Sequence, residues 1–132
     1  MNYFKIGNRY WDVLVTDVSE NFNILHSDKT GRTIGEGAPM YLDPLGTFYG
    51  HKIEFARKPG HEKNYDDLWN YLSQPRFDGI PVELVDGQTV IKYNAYVSQG
   101  ERKLKRIDEK TGKVYWDKFS VNIVPMEAQV KP

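Results

Sequence analysis

The chain has 132 residues, no cysteine, and 18 basic against 18 acidic side chains, so its formal net charge is zero. The length fits one domain, spanning 1–132, that can bury a real core. Zero net charge argues against nucleic acid or an anionic membrane as partner, and the lack of cysteine excludes disulfides, thiolate metal sites and a thiol nucleophile.

The opening MNYFKIGNRYW lacks a basic region followed by a long apolar one, so no signal peptide is expected. No window approaches the roughly 18 apolar residues of a transmembrane helix. A product made in a cytosol is the expectation. Nine tyrosines, six phenylalanines and three tryptophans make the chain aromatic-rich, which favours half-buried pleated surfaces and sticky interfaces.

YFKI at 3–6 reads as a short strand that stops at Gly7, and NRYW as a tight turn into the next strand. In RYWDVLVT, Trp11, Val13 and Val15 alternate with Asp12, Leu14 and Thr16, the period of a half-buried strand. NFNIL at 21–25 predicts another short strand with Phe22 or Ile24 inward. KTGRTIGEGAPMYLDPLG, residues 29–46, then holds four glycines and two prolines with no hydrophobic period. It predicts a long loop over about residues 28–47, and loops of that length in a small domain are functional or mobile. Ile34, Met40, Tyr41 and Leu42 are apolar residues in a segment that otherwise faces solvent. With Arg32 and Thr33 they are the candidate contact residues.

TFYGHKIEFARK resumes alternation, with Ile53 and Phe55 to one side. NYDDLWNYLSQP predicts the one helix, over about residues 64–74. Asn64 is the expected N-cap, Asp66 and Asp67 suit the first turn, and Tyr65, Leu68, Trp69 and Leu72 form a single apolar stripe before Pro75. So short a helix must lie on a sheet. IPVELV is a strand whose Pro81 predicts an edge position. Asp86-Gly87 is a hairpin turn, followed by a strand with Ile91, Tyr93, Ala95 and Val97 on one face. A further strand through RKLKR, a turn at EKTG and a long final strand complete the run, with an extended tail at 125–132. The fold expected is mainly β: an antiparallel barrel or split sandwich with one helix packed on it.

Chemistry is hard to find. GRTIGEGAP lacks the lysine and following helix of a phosphate loop. His26, His51 and His61 have no metal-ligand spacing and read as surface or strand histidines. DEKTGK lacks calcium-loop spacing. There is no nucleophile elbow, and Asp66, Asp67, Asp108 and Glu109 are explained by a helix start and a turn. No catalytic, cofactor or metal residue is expected, and no enzyme. RKLKR reads as an edge strand guarded by charge, and Tyr93 and Tyr96 point to opposite faces, unlike a stacking platform.

FKIGNRYWDVLVTDVSENFNIL, LGTFYGHKIEFARK, YDDLWNYLSQP and IKYNAYVSQGERKLKRI with YWDKFSVNIVPM together resemble small tail proteins of phages and prophages of Gram-positive bacteria. The resemblance is to the tail-tube, distal-tail and baseplate-hub group, which contractile tail-like bacteriocins also use. It implies a structural, non-enzymatic component of a virion tail. Such proteins form rings, commonly six-fold, and bind other tail or baseplate proteins, with a long loop reaching a neighbour. The alternative is a carbohydrate- or peptide-binding sandwich for host recognition, with Trp11, Trp69 and Trp116 as stacking candidates. A hydrolase with an unrecognised site is a third.

Overall fold

The structure, a computed structural model, describes residues 4–132. In chain order the elements are β1 (Lys5–Ile6), β2 (Leu14–His26), β3 (Gly31–Arg32), β4 (Met40–Tyr41), β5 (Pro44–Ala56), α1 (Glu62–Leu72), β6 (Ile80–Asp86), β7 (Thr89–Ile107) and β8 (Val114–Pro125). Six strands form one antiparallel sheet in the order β1-β6-β7-β8-β5-β2, and β3 with β4 forms a separate two-stranded ribbon. The mainly β class with one helix is as expected. The barrel does not close, because β1 and β2 end the order without pairing to each other. The sheet is nevertheless curled. β6 and β5 stand three places apart, yet the carbonyl of Val85 lies 2.8 Å from Nε2 of His51.

Tyr3, in the strand expected at 3–6, lies outside the described residues. Gly7 and Asn8, both at positive φ, turn the chain after β1, and the Ile6 N–H donates to the Arg9 carbonyl. Gly7 is required there twice over. Its φ is 66°, and a Cβ would sit 2.1 Å from the Tyr71 hydroxyl. Trp11 is not on a strand. It is buried, and its Nε1–H donates to the Ile6 carbonyl at 2.9 Å.

β2 joins what the sequence separates. Ser19-Glu20-Asn21 looks like a break before NFNIL, but these residues stay paired to Lys52, His51 and Gly50 of β5. Phe22 and Ile24 lie on the core-facing side, as their two-residue period from Val18 requires. Both are exposed all the same, because β2 runs on past the core. β7 likewise runs as one strand of 19 residues through RKLKR. Pro81 is not on an edge strand. β6 lies between β1 and β7, and Pro81 is its second residue, where β1 does not pair.

The helix begins three residues earlier than the Asn64 cap predicts. His61 is the N-cap and makes no side-chain cap hydrogen bond, and Glu62 is the acidic residue of the first turn. Asp12 explains the start, since it holds His61 Nδ1 at 2.7 Å and Lys58 Nζ at 2.8 Å. The Lys58 hydrogen bond, with the charges of His61 and Lys58, keeps the Asp12 carboxyl below its ordinary range. Tyr65, Leu68 and Leu72 face the sheet and are buried. Tyr65 and Trp69 meet the Phe119 ring edge-on, and Tyr71 packs on Trp11. Ile6, Ile53, Phe55, Val82, Leu84, Val121 and Ile123 complete the centre of this core.

Candidate assembly surface

The site grows out of the β2–β5 hairpin. In the pairing of β5 with β8, His51 faces Ile123 and Phe55 faces Phe119. The hairpin therefore projects from one end of the sheet, while the far parts of β7 and β8, from Arg102 to Val114, project from the other. Up to Glu20 and His51, β2 and β5 cover the core. Beyond them they form a stem, paired from Asn21–Gly50 to His26–Pro44, with Leu45 as an extra residue between two pairs.

An elbow tops the stem. The Ser27 N–H donates to the Asp43 carbonyl at 2.9 Å, the Ser27 hydroxyl donates to the Asp43 carboxylate, and the Asp43 N–H donates to the Thr30 hydroxyl at 2.8 Å. These bonds use the polar residues that interrupt the hydrophobic pattern. Residues 31–41 then resume pairing, with Gly31 opposite Tyr41 and Arg32 opposite Met40. Thr33 closes the tip by donating from both N–H and hydroxyl to the Pro39 carbonyl, each at 2.9 Å, and Arg32 donates to the Ala38 carbonyl. Gly37 and Ala38 take positive φ in the turn. The expected irregular loop is thus a jointed ribbon.

All six candidate residues stand on this ribbon or beside it. Arg32 and Thr33 have internal roles, as tip braces. Ile34, Met40, Tyr41 and Leu42 make no core for themselves. Ile34 is fully exposed, and Leu42 is 58% exposed. They do not fold back onto the domain. The stem adds apolar residues that the sequence reading did not single out for contact: Phe22 at 68% exposure, and Ile24, Leu25 and Leu45. A signal was present, since three apolar residues at 22–25 and Leu45 flank the glycine-rich segment on its two sides.

The stem is held from its other side by the chain's end. Residues 126–132 are not a free tail. The Thr47 N–H donates to the Val130 carbonyl at 2.8 Å, and the Gln129 N–H donates to the Thr47 carbonyl at 3.0 Å. The Gln129 side chain serves Tyr49 as a strand would, accepting from its N–H at 3.0 Å and donating to its carbonyl at 3.1 Å. Gly46 lets Ala128 pack close, where a Cβ would lie 2.5 Å from that methyl.

At the root of the stem lies a polar cluster built around His51, which is buried. Its Nδ1 lies 2.9 Å from the Tyr93 hydroxyl and its Nε2 lies 2.8 Å from the Val85 carbonyl and 3.3 Å from the Glu20 carboxylate. A carbonyl only accepts, so Nε2 carries a proton and donates it to Val85, while Nδ1 shares its hydrogen bond with the Tyr93 hydroxyl. Burial raises the Tyr93 hydroxyl well above its usual range, helped by the Glu20 charge. Burial also raises the Glu20 carboxyl, followed by its hydrogen bond with Asp86 and the Asp86 charge, while His51 opposes the shift. The cluster ties β2 and β5 to β6 and β7 through side chains, where the sheet does not close through its backbone. The two other histidines lie apart from it, on the elbow side of β2 and at the helix cap.

The tryptophans are occupied. Trp11 is buried with the Arg9 guanidinium 3.7 Å from its ring, and Arg102 lies between Trp69 at 4.6 Å and Trp116 at 4.1 Å. Arg102 also reaches the Asp66 carboxylate at 3.3 Å. Arg106 stacks on Tyr115. RKLKR thus spends its two arginines on aromatic faces. Comparison with family models, curated proteins and solved structures found no match. Among the described residues, no helix is long and apolar enough to cross a membrane.

Proposed function

We propose that this chain is a non-enzymatic structural component of a phage tail or tail-like particle. It self-assembles into a ring of the tail tube, tail tip or baseplate, and it contacts other tail proteins through the β2–β5 arm. The virion tail is its place, after synthesis in a bacterial cytoplasm. One observation carries this reading: a hydrogen-bonded ribbon presents Ile34, Met40, Tyr41 and Leu42 to solvent. Apolar side chains held out on an ordered arm gain free energy only when a partner covers them. Heterologous contacts of such an arm close into a ring when the rotation between neighbours permits.

The test is deletion of residues 31–41, joined by a short turn between the strands. Its bonds lie within the arm, so the body should unfold cooperatively at an unchanged midpoint. Light scattering and pull-down of co-expressed tail proteins should show assembly lost. An arm-less chain that still forms the wild-type assembly would refute the reading. The tryptophans required by a sugar-binding surface are covered, so that alternative draws no support from the geometry.

A further inference from the structure

β2 is a bare edge. Among the described residues it pairs only with β5, and its other side offers a row of free N–H and carbonyl groups. The remaining edges are guarded. β1 has two residues. The outer half of β7 carries Lys103 and Lys105 and is broken by register shifts at 97–99, 102–104 and 104–106. Short strands, lysines and bulges are the means by which proteins block edge pairing. β2, reading LVTDVSENFNILH, has no lysine, arginine or proline, and is regular from Asp17 to Leu25.

We propose that the outer edge of β2 docks against β2 of a second copy of this chain, the two strands antiparallel about a two-fold axis at Asn23. Symmetry and charge select this register. An antiparallel pair related by a two-fold must place one residue opposite itself. With Asn23 on the axis, Phe22 lies opposite Ile24 of the second copy and Glu20 lies opposite its His26, each pair formed twice. Directly opposed side chains come within about 5 Å, close enough for the Phe22–Ile24 pairs to cover each other and for His26 to lie beside the polar Glu20. Moving the axis to Phe22 sets Glu20 against Ile24, and moving it to Asn21 sets Glu20 against Phe22. Both oppose a carboxylate to an apolar side chain.

The arms gain from the same arrangement. Past His26, each arm heads toward the start of β2 in the other copy. There a cleft of about 340 Å³ has Phe4, Val13 and Val15 on its wall and the Asp12–Lys58 ion pair at its rim. The exposed apolar residues of the arm are thereby brought to a concave, mixed apolar and charged surface of the second copy. This rests on the self-association reading above and goes beyond it. An isologous contact makes pairs, and a ring then needs a further contact between pairs.

The absence of cysteine makes the register testable with single thiols. Asn23→Cys should oxidise to a linked dimer about ten-fold or more faster than a control Thr111→Cys in the β7–β8 turn, because paired strands hold the two thiols at high effective concentration. Asn21→Cys and Leu25→Cys should stay unlinked alone and cross-link when mixed, since those positions face each other across the axis. Phe22→Lys, at an exposed position, should leave the unfolding midpoint unchanged and abolish the dimer. Any of three results overturns the proposal: Asn23→Cys no faster than the control, self-linking of Asn21→Cys or Leu25→Cys instead, or dimers undiminished by Phe22→Lys. Loss of assembly on arm deletion with Asn23→Cys unlinked would remove this contact and leave the ring reading standing.

Discussion

Replacing Gln129 with alanine asks whether one side chain holds the stem of the arm. The amide of Gln129 satisfies both backbone groups of Tyr49, at 3.0 and 3.1 Å. Truncation removes two hydrogen bonds worth about 1 kcal/mol each, and part-burial of Tyr49 keeps water from replacing them fully, so a loss of about 2 kcal/mol is expected. For a domain of this size that lowers the melting midpoint by roughly 6–10 °C. Thermal unfolding followed by circular dichroism gives the midpoint. Hydrogen exchange gives the location, with the Tyr49 amide exchanging faster while amides of α1 keep their protection relative to global unfolding. The neighbouring bonds between Thr47 and residues 129 and 130 should loosen with it. If the variant melts with the wild type and the Tyr49 amide is unchanged, the chain's end does not brace β5 and the reasoning fails.

His51→Leu should cost about 3 kcal/mol in urea unfolding, because the Tyr93 hydroxyl and the Val85 carbonyl lose their partner in a buried setting, whereas Tyr93→Phe should cost about 1. Glu20 contributes a pH dependence. Its folded-state pKa is raised above the ordinary 4.5, so its contribution is full below that value and falls as pH rises through the raised one. Stability of the wild type should decline across that window, and Glu20→Gln should flatten the decline in melting curves taken from acid to neutral pH. Gly7→Ala should cost about 2–4 kcal/mol, from a left-handed φ and overlap with Tyr71, measured by the same urea titration. An unaltered midpoint would show that the turn relaxes freely.

Element order was legible because hairpin turns and alternation are local. Asp86-Gly87 and the turn at 108–112 stand where turn chemistry put them, and Tyr65, Leu68 and Leu72 form the buried stripe of the helix. The errors came from distant partners. Asn64 has good cap chemistry, but Asp12 holds His61, 49 positions away along the chain from it, and moves the helix start. Nothing local says that Glu20 will sit beside His51 and continue β2 through a polar run. The same is true of the arm. Its apolar residues could be named from composition, but whether they face solvent depends on where the core ends, and that is set by the register of β5 on β8. His51 looked like an ordinary strand histidine because its three partners come from three other strands.

β7 has 19 residues in one strand. At about 3.3 Å per residue it would measure roughly 60 Å if straight, and it runs from the arm end of the body to the tip of the opposite hairpin. It is therefore a gauge rod. Spectroscopic labels at Gln88 and Lys110 would report a separation that belongs to the subunit itself. Any repeat measured in a stacked array could then be divided into a part contributed by this rod and a part contributed by the contact between copies.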